Sequence, residues 1–344
     1  MKAIVAHAAR DLRIEDRALP TPGTGHVLVR VAMGGICGSD LHYYNHGGFG
    51  TVRLKEPMIL GHEISGYIER AGDGVALQPG QMVAVSPSRP CGACEYCHRG
   101  QQNHCVNMRF YGSAMPFPHI QGAFREYISA DASQCVVADG LTPGEAAMAE
   151  PLSVVLHAAR RAGDLMGKRV LVTGCGPIGL LAVLVARAAG ALEIVATDIT
   201  SFPLRMAEAS GADVALDVSQ RPDALSDYHA DKGQIDVLFE CSGVASALAA
   251  AIPALRPGGV ILQLGLGGDM TLPVQAMTAK ELELRGSFRF HSEFPSAVRM
   301  MQARRLDVAP LITQTVPLDD AVAGFELASD RSQAIKAQIA FSAG

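Results

Sequence analysis

The hydrophobic pattern changes character at Lys168. From there on, short apolar runs alternate with longer stretches of helical period. The runs Val170–Thr173, Ile194–Thr197, Val214–Leu216, Val237–Glu240, Val260–Leu264 and Leu282–Ser287 have the length of strands. Between them, Ala-rich segments such as Gly179–Ala189, Pro203–Ser210 and Val244–Leu255 predict helices. Strand, helix and strand in regular succession imply parallel βαβ units, and so an α/β, doubly wound sheet. The most apolar stretch, Ile178–Ala186, is stopped by Arg187 and is far shorter than the ~18 residues of a membrane span. Met1–His7 runs into Arg10, Asp11, Arg13 and Glu15 before a signal-peptide core can form. These features predict a cytoplasmic chain without a membrane partner.

Composition adds bounds. A length of 344 residues accommodates about two domains at ~150 residues each. With 49% hydrophobic and 18% charged residues, the chain has the make-up of a packed globular protein. Its 29 basic residues against 34 acidic ones give a net charge of -5. No basic run stands out, so nucleic acid is excluded as an expected partner. A reducing cytoplasm disfavours disulfides, which leaves eight cysteines to be metal ligands, nucleophiles or core residues.

Four of them, Cys91, Cys94, Cys97 and Cys105, fall within 15 residues. Two-residue gaps let successive thiolates turn onto one ion, and four sulfurs close a tetrahedral zinc shell of the structural kind. A redox pair or an iron–sulfur cluster are the other readings of that spacing. A second set is scattered: Cys37, the adjacent His62 and Glu63, and Glu150. Together these offer sulfur, nitrogen and oxygen, the mixed ligand set of a zinc that keeps a place for water or substrate.

At the first strand-to-helix turn stands Gly174-Cys175-Gly176-Pro177-Ile178-Gly179, with Asp198 closing the second strand. A strand before the glycines, a helix after them and an acid at the ribose position meet the context tests of a dinucleotide site. Gly174 permits the tight turn, Gly176 lets the backbone approach the pyrophosphate at the helix N-terminus, and Gly179 allows close packing. A glycine turn without a ligand would leave Asp198 no task. Its carboxylate favours NAD over NADP, and Arg205, about one helical turn on, keeps NADP use open.

The run Gly61-His62-Glu63-Ile64-Ser65-Gly66, then Gly72 and Val75, together with both cysteine sets and the glycine motif, resembles the zinc-dependent medium-chain dehydrogenases over nearly the whole chain. That resemblance implies a GroES-like, mostly β catalytic domain made of residues 1–150 and 289–344, carrying a zinc lobe at about 89–106. A Rossmann NAD-binding domain would span 151–288. It implies two zinc ions per chain, one catalytic and one structural, and a homotetramer or homodimer. Glu150 and the run Ser39-Asp40-Leu41-His42-Tyr43-Tyr44 are similar to the polyol dehydrogenases. Met108–Met115, Arg285–Phe290 and Gly34–Asp40 resemble members of that branch that oxidise a sugar acid. Phe290 stands where a tyrosine is usual in the sorbitol enzymes.

The implied chemistry is hydride transfer from a secondary hydroxyl to NAD. Zinc on Cys37, His62 and a carboxylate of Glu63 or Glu150 would acidify the hydroxyl. Ser39 would take up the proton, with His42 farther along the relay. Tyr43, Arg109 and Arg289 are the candidate substrate contacts, because hydroxyls call for donors and a carboxylate for a guanidinium. A polyol dehydrogenase of the sorbitol or xylitol type, a threonine dehydrogenase, or a non-catalytic zinc- and nucleotide-binding protein are the competing expectations.

Overall fold

The computed structural model describes residues 1–341. They form two compact units. One comprises Met1–Glu150, His291–Asp330 and the residues from Lys336 on, and the other Pro151–Phe290 with Arg331–Ile335. The chain thus leaves the first unit after Glu150 and returns at His291, two residues past the boundary expected at 288.

The first unit is mostly β. Its seven-stranded sheet runs Cys135–Val137, Met82–Val85, Glu63–Ala71, His26–Gly35, Lys336–Ala340 and Ile312–Pro317, with Tyr127–Asp131 also on His26–Gly35. Ten-residue His26–Gly35 is the hub, because it pairs with Glu63–Ala71, with Tyr127–Asp131 and with Lys336–Ala340. Ile4, Val29, Val31, Ile64, Ile68, Phe124, Phe325 and Ile339 fill the core. The register sets Glu63 opposite Gly35 and Gln338 opposite the same glycine. Gly35 leaves room for the Glu63 carboxylate: a Cβ there would lie 2.2 Å from Glu63 Oε2 and would displace it. The lobe around the four clustered cysteines contains the short strand Ser88–Arg89 and the single-turn helix Glu95–His98.

The second unit is a six-stranded sheet in the order Val214–Asp217, Glu193–Asp198, Arg169–Thr173, Ile235–Glu240, Leu255–Gln263, Glu283–Gly286. All its pairs are parallel. Numbered along the chain this is 3-2-1-4-5-6, the doubly wound order. The six expected strands all form, each within a few residues of its predicted limits. The largest shift is at Leu255, which opens the fifth strand rather than closing the helix before it. Val170 and Val172 are buried on one face and Leu171 on the other, which is why these strands read as unbroken apolar runs.

Candidate active site

Cys37 meets the adjacent pair His62 and Glu63 at the ends of the inner strands His26–Gly35 and Glu63–Ala71 of the large sheet. Ligand atoms of Cys37, His62 and Glu63 all lie within 4.8 Å of one another. Cys37 caps helix Gly38–His46, and the helix is tied to the His62 turn by one buried carboxylate. Asp40 Oδ2 accepts the Cys37 N–H at 3.1 Å and its Oδ1 accepts the Gly61 N–H at 3.0 Å. The His62 Nδ1 edge faces the same Asp40 oxygen at 3.7 Å, which leaves Nε2 as the nitrogen available to an ion. The Phe110 ring packs against the imidazole, 5.5 Å between centroids.

The electrostatics call for a cation. Burial and the charge of Glu63 push the Cys37 thiol up to about 12. Burial, with Glu63 and Cys37 adding to it against the pull of His62, pushes Glu150 up to about 8. Asp40 is raised by burial too. Acids packed this tightly resist charging by themselves, and a divalent ion removes that resistance. The chain answers part of the demand with Lys336. Its ammonium is buried and donates to both Glu63 oxygens, at 2.9 and 2.7 Å, and to the Ile36 carbonyl at 3.2 Å. Nothing in the sequence pointed to Lys336 or singled out Asp40 as a partner of His62. The Asp40 signal was there in its three-residue spacing from Cys37, which is that of a capping box.

Glu150 is buried in the first turn of helix Ala149–Ala162 and lies outside the 4.8 Å group. Ser39 touches the Cys37 sulfur, and His42, one turn along the same helix, packs on Phe49. Tyr43 is a core residue whose hydroxyl accepts the Ala114 N–H at 3.0 Å. Arg109 is not brought to the cluster. In the two-residue strand Arg109–Phe110 successive side chains alternate, so Phe110 turned to His62 sends Arg109 the other way. Arg289 belongs to the second unit. It holds a left-handed backbone, φ +56°, and its guanidinium lies 4.8 Å over the Phe288 ring.

The four cysteines of the lobe also converge, with Cys91, Cys94, Cys97 and Cys105 sulfurs within 4.8 Å. Cys94 and Cys97 sulfurs are 3.5 Å apart, near the ~3.8 Å edge of a tetrahedron with 2.3 Å zinc–sulfur bonds. Hydrogen bonds from the Ala93 backbone and from Cys105 lower the Cys91 thiol to about 6, the direction a metal thiolate needs.

In the second unit the glycines behave as their positions imply. Gly174 is left-handed at φ +83°, and a Cβ on Gly179 would lie 1.8 Å from the Gly174 carbonyl. A Cβ on Gly176, at the cap of helix Pro177–Ala188, would meet nothing within 4 Å. That is the open approach a pyrophosphate requires, with Pro177 and Ile178 opening the helix behind it. Asp198, however, has work without any ligand. It accepts the amides of Cys175 at 2.7 Å, Ile199 at 2.7 Å and Thr200 at 3.0 Å, because the strand end brings its carboxylate against the glycine turn. Arg205 lies exposed over Phe202, 5.9 Å from the ring. Glu240, fully buried, joins the loops around it by accepting from Ser242 N at 2.9 Å, Gly243 N at 3.1 Å and Gln263 Nε2 at 2.6 Å.

A mixed cysteine–histidine–glutamate site, a four-cysteine lobe and a 3-2-1-4-5-6 sheet with its glycine turn define a zinc-dependent dehydrogenase. Residues 23–140 match the alcohol dehydrogenase GroES-like domain and residues 177–303 the zinc-binding dehydrogenase family. The chain belongs to the zinc-dependent medium-chain dehydrogenases. It is 43% identical to the L-idonate 5-dehydrogenase (NAD(P)(+)) of Escherichia coli K12, over 91% of each chain. The crystal structure of that bacterium's L-idonate 5-dehydrogenase superposes with a TM-score of 0.95 at 40% identity, covering 99% of this chain and 98% of the other. Human sorbitol dehydrogenase is 37% identical over 94% of this chain and 91% of its own. An alcohol dehydrogenase of E. coli CFT073, solved with NADH, matches at 29% identity and TM-score 0.90, with 99% of both chains covered. Zinc and a nicotinamide dinucleotide are the cofactors of this fold, and the donor sets and glycine turn described above fit them.

Proposed function

We propose that the protein oxidises a secondary hydroxyl of a sugar acid with NAD, and that L-idonate, giving 5-keto-D-gluconate, is the substrate. The supporting observation is the likeness to L-idonate 5-dehydrogenase across both units. The first unit is the catalytic domain and residues 151–288 the core of the NAD domain. When bound, zinc supplies the Lewis acidity that makes the hydroxyl a better acid, and the nicotinamide accepts the hydride. Cys37, His62 and Glu63 hold the ion, and Glu150 stands beside them as the further carboxylate. Asp40 faces the Nδ1 edge of the imidazole at 3.7 Å, the place of the outer partner of a ligating histidine. Lys336 balances the charge of Glu63, so that the buried acids do not saturate the ion.

Ser39, beside Cys37, receives the substrate proton, and His42, three residues on along the same helix face, passes it outward. Arg289 pairs with the substrate carboxylate. Its left-handed backbone is unusual for a residue with a Cβ and accumulates at functional positions. The glycine turn and the Pro177–Ala188 helix seat the pyrophosphate, and Asp198 the ribose. The strand Glu283–Gly286 is an open sheet edge, a surface on which a second copy can pair, in line with a homodimer or homotetramer. A four-cysteine zinc lobe needs its thiols reduced, which suits a cytoplasmic location.

The test is an NAD-coupled panel of idonate, gluconate, sorbitol, xylitol and threonine on the native enzyme and on Arg289→Met. Idonate should turn over best. Removing the guanidinium should lower kcat/KM for idonate about ten- to a hundredfold, the value of a charge-assisted contact of roughly 1.5–3 kcal/mol, and spare sorbitol. Equal losses on both substrates would make this a polyol dehydrogenase in which Arg289 meets hydroxyls or cofactor.

A further inference from the structure

The first unit holds an open cavity of mixed polar and apolar lining that the chemistry above does not use. It has a volume of about 860 Å³, within the range of small-molecule sites. Ser88, Arg89, Asn107, Arg109, Asp131 and His291 are among its walls. The two arginines stand directly opposite each other where the strands Ser88–Arg89 and Arg109–Phe110 pair. Like charges facing across a ladder destabilise it, unless an anion lies between them. The one acid in the wall cannot serve both. Asp131 already accepts Ser133 N at 3.0 Å and Ser133 Oγ at 2.8 Å, and its remaining oxygen meets Arg89 at 3.5 Å. Among the described residues Arg109 has no acidic partner. A second, independent sign comes from Ser88, which is only 7% exposed and whose hydroxyl finds no hydrogen-bond partner among the described residues. A buried hydroxyl left in that state costs free energy that a ligand oxygen would return.

We propose that this cavity is a second ligand site, separate from the Cys37–His62–Glu63 cluster, that takes a small oxyanion carried as a carboxylate or a phosphate. Arg109 supplies the planar fork that matches either group. Arg89, half committed to Asp131, adds charge, and Ser88 and Asn107 offer hydrogen bonds. The cavity leaves room beyond the anion for the body of a hydroxylated metabolite.

The test is calorimetric titration of the zinc-loaded enzyme saturated with NADH, so that the pyrophosphate seat is filled and no alcohol can be oxidised, at constant ionic strength. Inorganic phosphate is the probe in one arm and D-gluconate in the other, with sorbitol as the neutral control. Arg109→Gln should weaken the binding of the preferred anion about tenfold or more, and Ser88→Ala a few-fold. Arg109→Lys, which keeps the charge and loses the fork, should fall between. Sorbitol binding should be the same in all variants. The arm that shows the Arg109-dependent affinity identifies the source of the oxyanion. Equal affinity of both anions for native enzyme and Arg109→Gln would overturn the site. So would release of one zinc per chain from Arg109→Gln, since the arginines would then be counter-charges for the neighbouring Cys91 thiolate and its lobe.

Discussion

Asp198 was expected to touch the ribose, and the structure shows it holding three backbone amides besides. A carboxylate offers about four acceptor positions, so one is left for a ribose hydroxyl. The structure shows it shaping the glycine turn, and in the proposed function it would also repel a 2′-phosphate. Replacing it by Ser, with Arg at the exposed Ile199, should move the NAD/NADP ratio of kcat/KM toward NADP by roughly tenfold. Affinity for both cofactors should fall, because the turn loses its acceptors. A variant that keeps full NAD affinity would show that the amide bonds do not organise the turn. Lys336 is the other lesson at this scale. A lone lysine in a C-terminal strand carries no sequence signal, yet its ammonium is buried against Glu63, 273 residues away.

The element that most constrains function is the helix Pro177–Ala188. Its start is pressed so closely on the first strand that a Cβ on Gly179 would overlap the Gly174 carbonyl, and both belong to the turn that seats the cofactor. Gly179→Ala should cost about 1–3 kcal/mol through overpacking, read as a lower midpoint in urea. It should also raise the KM for NAD, because the helix start is displaced from the turn. Gly176→Ala is the informative contrast. With nothing within 4 Å of its added methyl, it should leave stability almost unchanged while weakening NAD. A loss of stability at both positions would mean that Gly176 is required by the fold and not by the ligand. The helix Gly38–His46 plays the matching part in the first unit, since its capping box places Cys37 and joins it through Asp40 to the His62 turn.

For the molecule as a whole, two ligand groups of different build predict two zinc ions per chain. The four-sulfur lobe has no place for a further ligand, whereas the Cys37–His62–Glu63 group supplies three donors and leaves room for one. A chelator should therefore remove one zinc with the activity while secondary structure persists, and the second zinc only with loss of the lobe. Elemental analysis of active enzyme should return two zinc ions per chain; a value of one would refute the two-site assignment. The cavity beside the lobe bears on the same experiment, since its arginines must leave that second zinc in place if they serve an anion.

Local chemistry made much of this legible in the sequence. The inner parallel strands were readable because both of their faces are buried, so each carries a short apolar run, whereas the edge strands Val214–Asp217 and Glu283–Gly286 are half-buried or exposed. The glycine turn was readable because the left-handed backbone at Gly174 and the close packing at Gly179 admit no other residue. The four-cysteine lobe was readable because its ligands are near neighbours in the chain. Long-range pairing decided the rest. Which acid joins Cys37 and His62 depends on Gly35 lying opposite Glu63, and the arrival of Lys336 depends on the last strand returning to His26–Gly35. Arg109 was expected at the substrate; Phe110 beside it packs on His62, and Arg109 lines the cavity with Ser88 and Arg89. Spacing along a chain reports what local geometry forces, whereas a buried charge finds its partner through sheet register, which no segment encodes by itself.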